Sequence, residues 1–425
     1  MNLLSEYHPL QQVIVHTPGT EWEMVPLEAD MAESYLVEDI LFLKKAASEH
    51  SEFVACLQHI TGADGVHQIS DLLADILADE KVRSDLVGAV SALEGVGLKT
   101  HDFLLSADLS VKDLARILIS GSDTVTPDNS ADSSRRRYFR PIPNLMFTRD
   151  IGAFIGNSVI LAHPARRVRL REALLAQYIF RHHQLFAETE IVDILDDASA
   201  NTIDGGVHLE GGDVMALDSE TLVVGAGQRT TKVAIELLAQ RLLSEGIVKR
   251  LIMVELPAER ATMHLDTVFT VIGRDDCVYF PPLFTEGHPT TTPARALTYE
   301  LIDGYASIVH DSAPDGLFSA LRRIGYDFPN RFKCGGDSPL FQSREQWTDG
   351  ANLFAARPTV AFIYERNAET ITTFAKAGYD VVTAAGFLKS DAATVQKTLI
   401  TVNGAELSRG RGGARCMTMP FSRRG

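Results

Sequence analysis

Basic side chains are in short supply. The 425-residue chain carries 40 Lys+Arg against 56 Asp+Glu, a formal charge of −16. A surface that grips nucleic acid or an anionic membrane must present a basic face, so both partners are disfavoured. Cysteine is also scarce, and Cys56, Cys277, Cys334 and Cys416 show no CxxC spacing, which suggests neither a zinc knuckle nor a disulfide framework. No run approaches the ~20 apolar residues of a membrane span. The opening MNLLSEYHPL places an acid and a histidine where a signal peptide needs an apolar stretch. These absences predict a cytoplasmic protein with reduced thiols. Hydrophobic residues make up 45% of the chain, enough for a large core.

The organisation follows from periodicity. Residues 11–15 (QQVIV) are β-branched, end at HTPG and read as a strand. From about 30 to 120 apolar residues recur at helical spacing, as in Leu72, Leu73, Ile76 and Leu77. Residues 120–137 read as a polar loop. Then a pattern repeats: Asp150, Asp213, Asp266 and Asp349 each precede a strand, a turn and a second strand. Helical stretches follow three of these units, at Arg169–His183, Lys232–Leu243 and Glu369–Ala377. The irregular spacing suits a supersecondary unit repeated around an axis rather than a short solenoid. A fifth unit forms if Arg415–Phe421 pairs with residues 11–15. The competing reading is an ordinary mixed α/β sheet with coincidental hairpins.

Chemistry concentrates in a few places. Cys416 follows a glycine-rich turn, with Arg411 and Arg415 nearby to stabilise a thiolate. Cys56 and Cys277 read as small buried hydrophobes. His264 and Asp266, two apart, are expected on one face of a strand. His182 and His183 end a helical stretch and read as helix-terminal charge. Asp150, Glu210, Asp213 and Asp266 stand at strand entries; singly each could be a turn cap, and together they make a pocket that wants a cation. A metal is one candidate, although no HxxxH or HExxH spacing exists. A planar guanidinium, gripped by carboxylates and attacked by a thiolate, is the other. A single GRGRGG run without aromatics in an acidic chain is weak evidence for RNA binding.

In order and spacing, PNLMFTRD (143–150), EGGD (210–213), MHLDTVF (263–269), REQWTDG (344–350) and GRGGARCMTMP (410–420) resemble the arginine deiminases. The resemblance spans nearly the whole chain. It implies an α/β fold, a five-bladed pseudosymmetric propeller forming one catalytic domain over 1–425, with 30–120 as a helical insertion. It implies hydrolysis of L-arginine to L-citrulline and ammonia, through a covalent thioether on Cys416. By the same resemblance Asp150 and Asp266 grip the guanidinium, His264 is general acid and then base, and Glu210 orients it. Asn144 and Phe147 match substrate positions. Arg169 and Arg229 match residues that bind the substrate carboxylate, and Arg411, with Gly410 beside it, matches the gating arginine; at the substrate's amino-acid end a planar fork recognises a carboxylate at two points. No cofactor or metal is implied.

Two departures from the family pattern stand out. Gln228 precedes Arg229 where the family usually has an acid, and 388–403 reads as extra length beside the presumed lid. Rival readings are an amidinotransferase, a hydrolase for another guanidine, and an arginine-binding sensor without catalysis. The implied partners are L-arginine and water, and a homo-oligomer is compatible with the sequence.

Overall fold

A computed structural model describes residues 2–26, 31–122, 138–195, 206–285 and 293–424. It is a mixed α/β fold whose described strands form five sheets. Each sheet begins with an antiparallel strand pair and adds a parallel strand after a helical crossover. In one, Gly152–Ile155 pairs with Ser158–Leu161, helix Leu170–His182 crosses over, and Glu190–Val192 joins in parallel. Val214–Asp218, Thr221–Ala226 and Arg250–Glu255 repeat this around helix Lys232–Ser244. Phe269–Val271, Asp276–Tyr279 and Asn330–Lys333 repeat it again. Phe354–Arg357 and Val360–Tyr364 are followed by helix Ala368–Lys376, edge strand Asp380–Thr383 and, between them, Thr398–Val402.

The remaining sheet takes strands from both chain ends. Met419–Arg423 pairs antiparallel with Leu10–Val15, which pairs in parallel with Val66–Gln68 across helix Leu43–Thr61. Of the expected C-terminal run, residues 415–418 stay outside this strand.

Two expectations change here. The helix Leu43–Thr61 and strand Val66–Gln68 fall within 30–120, yet they supply this sheet's crossover and third strand. The separate helical group therefore starts later, with Ile69–Ile76, Glu80–Glu94, Leu98–Leu104 and Val111–Ser120. In 388–403, Thr398–Val402 is a buried central strand, so only the part before it can be added length. Most of the expected loop 120–137 lies outside the described residues.

Strand composition explains the layering. Every residue of Thr221–Ala226 is buried, as is every residue of Thr398–Val402. Such strands read as unbroken apolar runs because both sheet faces are covered. Helices start and stop on local signals: Asp79 accepts from the backbone N–H of Lys81 and Val82, and Gly95 closes that helix in the left-handed conformation.

A buried ion network ties the chain ends to the sheets. Arg415 donates to Glu6 at 2.9 Å, to Asp266 at 2.7 Å and to the Val214 carbonyl at 2.8 Å. Arg149 reaches the same Glu6 at 3.4 Å. Burial would raise the Glu6 carboxyl, but Arg415 and Arg149 outweigh it and hold it at about 2 against an ordinary 4.5. A depressed folded pKa gives stability that is present above 4.5 and lost as pH falls toward 2. Thermal midpoints should therefore drop steeply through that window. Glu6→Gln, less stable at neutral pH, should show a flatter dependence there; equal slopes would exclude this role.

Candidate active site

The acidic residues at strand entries sit in tight turns. Asp150 lies in the 3-10 turn Thr148–Ile151, Asp213 in Gly211–Asp213 and Asp266 in Leu265–Thr267. The expected strand carrying His264 and Asp266 on one face is absent. His264 is the extended residue entering the turn, and the strand begins only at Phe269. Side chains hold this turn instead. Asp213 accepts from the Leu265 N–H at 2.9 Å and from the Thr230 hydroxyl at 2.6 Å. Asp213 is thus a positioning group, and alternation along a strand is not what brings His264 and Asp266 together.

The turns converge on a small cavity of about 20 Å³. Its walls include Asn144, Phe147, Asp150, Arg169, Arg229, His264, Gly410, Arg411 and Cys416. Asp266 lies beside it, with Oδ2 3.8 Å from the Cys416 sulfur. Glu210 lies behind it, 3.0 Å from His264 Nε2. His264 Nδ1 is 3.6 Å from Asp150 Oδ1. The EGGD motif has a packing reason: a Cβ on Gly212 would sit 2.6 Å from His264 Nδ1 and 2.7 Å from Asp150 Oδ1. Only glycine lets both reach the cavity here.

The arginines are engaged with these acids. Arg169 donates to Asp150 at 2.5 Å and to the Asn144 carbonyl at 3.2 Å, and its other nitrogens meet Glu172. Arg229 meets Glu210 at 3.4 Å. Arg411 stacks over Trp347 at 3.5 Å and donates to its carbonyl. Among the residues that line the cavity, one buried acceptor, Asp150 Oδ1, and two buried donors, Nε of Arg229 and of Arg411, have no hydrogen-bond partner. All three residues line the cavity. An unmet buried polar atom costs ~1–3 kcal/mol, so these edges suit a ligand carrying a cation at one end and an anion at the other.

Charge sets the protonation states. Burial depresses His264, but Asp150 and Glu210 outweigh it and push the imidazole up to about 9. Burial also favours a neutral Glu210, yet Arg229, His264 and Arg169 hold it well below the usual carboxylate range. Burial, then Asp266, Asp150 and Asp349, push the Cys416 thiol far up. Asp150, Glu210 and His264 bring single donor atoms within 4.8 Å of one another, the geometry of a metal site. The guanidiniums of Arg169 and Arg229 already meet these carboxylates.

Sequence reasoning missed several contributors. Asn352, two residues beyond REQWTDG, contacts Cys416. Glu172 anchors Arg169; Arg415, expected to stabilise the thiolate, instead spends its guanidinium on Glu6 and Asp266. The i,i+3 spacing of Arg169 and Glu172 on a helical stretch was the available signal; Asn352 had none. Outside this cavity His163 pairs with Asp193, thirty residues on, at 2.8 Å and His16 with nearby Glu21 at 3.1 Å. His183 meets Asp75 at the end of its helix. Because Glu210 supports the imidazolium, Glu210→Gln should lower the His264 pKa from about 9, read by NMR titration of the imidazole. An unchanged titration would remove Glu210 from this role.

The arginine deiminase family profile matches residues 33–423. An arginine deiminase of Limosilactobacillus reuteri is 32% identical over 100% of this chain and 98% of its own length. One from Streptococcus agalactiae is 31% identical over the same shares. Among solved structures, an amidinotransferase of Microseira wollei from a saxitoxin biosynthetic pathway aligns with a TM-score of 0.52, covering 100% of this chain and 97% of that one at 13% identity. The chain belongs to the arginine deiminase family.

Proposed function

We propose that this chain hydrolyses L-arginine to L-citrulline and ammonia by way of an amidino-thioether on Cys416. One observation carries the reading: a buried sulfur 3.8 Å from Asp266 lines the same small cavity as Asp150, His264 and the arginines. The same reading takes the five sheets as blades of a pseudosymmetric propeller, closed by the pairing of Leu10–Val15 with Met419–Arg423. The helices from Ile69 to Ser120 are then its insertion. The compartment that fits a reduced nucleophile and three further buried free cysteines is the cytoplasm.

The chemistry follows from the field. Burial, then Asp266, Asp150 and Asp349, keep the thiol protonated when the site is without substrate. A guanidinium held between Asp150 and Asp266 cancels that charge and brings a cation to the sulfur, which favours the thiolate. Sulfur bonds to the guanidinium carbon, giving a tetrahedral adduct. His264, protonated at neutral pH, passes its proton to the departing nitrogen, and ammonia leaves. The neutral imidazole then takes a proton from water and hydroxide adds to the amidino carbon; as the C–S bond breaks, the adduct's hydroxyl proton passes to sulfur, replacing the one the thiol released to solvent on ionising, and citrulline's carbonyl forms.

At the far end, Nε of Arg229 and Arg411 fit an α-carboxylate. Arg169 now occupies Asp150 Oδ2 at 2.5 Å. Substrate guanidinium competes for that oxygen, so binding displaces Arg169 toward the carboxylate.

Cys416→Ala should lower citrulline formation at least ~10³-fold. Mass spectrometry of enzyme quenched in turnover should find the adduct on the peptide holding Cys416; citrulline at wild-type rate from that variant would end the proposal. Arginine should exceed agmatine in kcat/KM, and Arg229→Lys should narrow the gap, measured as a ratio of those constants. Turnover should fall on the alkaline side as His264, near 9, loses its proton. It should fall on the acid side as the imidazole freed by ammonia release is reprotonated. A rate that stays constant across both limbs contradicts this role for His264.

A further inference from the structure

We infer that Asn352 is a catalytic residue whose carboxamide donates a hydrogen bond to the Cys416 sulfur and stabilises the thiolate. This deepens the reading of Cys416 as nucleophile and rests on it. Asn352 Nδ2 lies 3.2 Å from Sγ, and its Oδ1 accepts from the Cys416 backbone N–H at 3.0 Å. The second contact fixes the first. A backbone N–H can only donate, so the oxygen of the amide must face it and the NH₂ must face the sulfur. The NH₂ also donates to the Asp266 carbonyl at 3.2 Å, so the carboxamide bridges the nucleophile and the residue that grips the guanidinium.

The surroundings make this donor matter. The other side chain at hydrogen-bonding distance of Sγ, among the described residues, is Asp266, at 3.8 and 4.0 Å, and its charge opposes a thiolate. Asn352 is buried, and both ends of its amide are used. The glycine-rich turn is cut to admit it: a Cβ on Gly413 would stand 2.8 Å from Asn352 Cβ, its carbonyl oxygen and Oδ1. The need for glycine at 413 is thus explained by the close approach of this one side chain to the nucleophile's turn.

Hydrogen bonds to charged groups set the expected size, a ~10–100-fold effect. The test compares the full-length chain with Asn352→Ala and Asn352→Asp. It reads citrulline kinetics, the rate of Cys416 alkylation by iodoacetamide at fixed pH (by peptide mass spectrometry), and thermal denaturation. Asn352→Ala should slow alkylation and kcat by ~10–100-fold while KM moves by less than ~3-fold. Asn352→Asp, similar in shape but with no donor and a new negative charge, should lose more. If the alanine variant melts early, the aspartate variant decides on the same readings. A well-folded variant with alkylation and kcat within ~2-fold of wild type, or with only KM raised, overturns the proposal. Slowed alkylation in the variant, with no citrulline made by the wild-type chain, supports the contact and overturns the deimination reading instead.

Discussion

Arg415 is the residue on which the arrangement depends. It precedes the nucleophile in sequence, and its fully buried guanidinium joins Glu6 near the N-terminus, Asp266 in a turn far along the chain, and the carbonyl opening the strand Val214–Asp218. A charge this deep is tolerated only if every donor finds a strong partner. Meeting that condition draws three remote segments to one point and sets Asp266 beside the sulfur. The interaction serves placement more than net stability, because desolvation of both ions offsets much of their attraction.

Around this clamp the site balances like charges at close range. Asp150, Glu210, Asp266 and Glu172 are buried together, and Arg169, Arg229, Arg415 and His264 answer them. The balance is incomplete where the cavity lies: among its lining residues, one carboxylate oxygen and two guanidinium nitrogens make no hydrogen bond. An amino acid with a guanidinium side chain complements that pattern at both ends. Burial and the neighbouring Asp266 and Asp150 oppose ionisation of the thiol, and the neutral amide of Asn352 is a donor beside the sulfur.

Some of this was readable because it is local. The paired strands after Asp150, Asp213, Asp266 and Asp349 show as apolar runs broken by turn residues, and their helices show the helical period. The convergence of motifs followed from their type and order. Reading His264 and Asp266 as a strand pair failed because Asp213 and Thr230, supplied by other segments, hold that stretch as a 3-10 turn. The helical block from residue 30 was drawn too wide because helical periodicity does not reveal which sheet a helix serves.

By itself the sequence determined which chemical groups exist and the local elements that carry them: a cysteine after a glycine turn, a histidine, spaced acids and arginines. These are set by residue type and short-range periodicity. Only the tertiary structure decided that Asn352 caps the sulfur, that Glu172 and Asp150 share Arg169, and that the two chain ends complete one sheet. Those contacts join residues by burial and charge matching across the core, and no spacing along the chain encodes them.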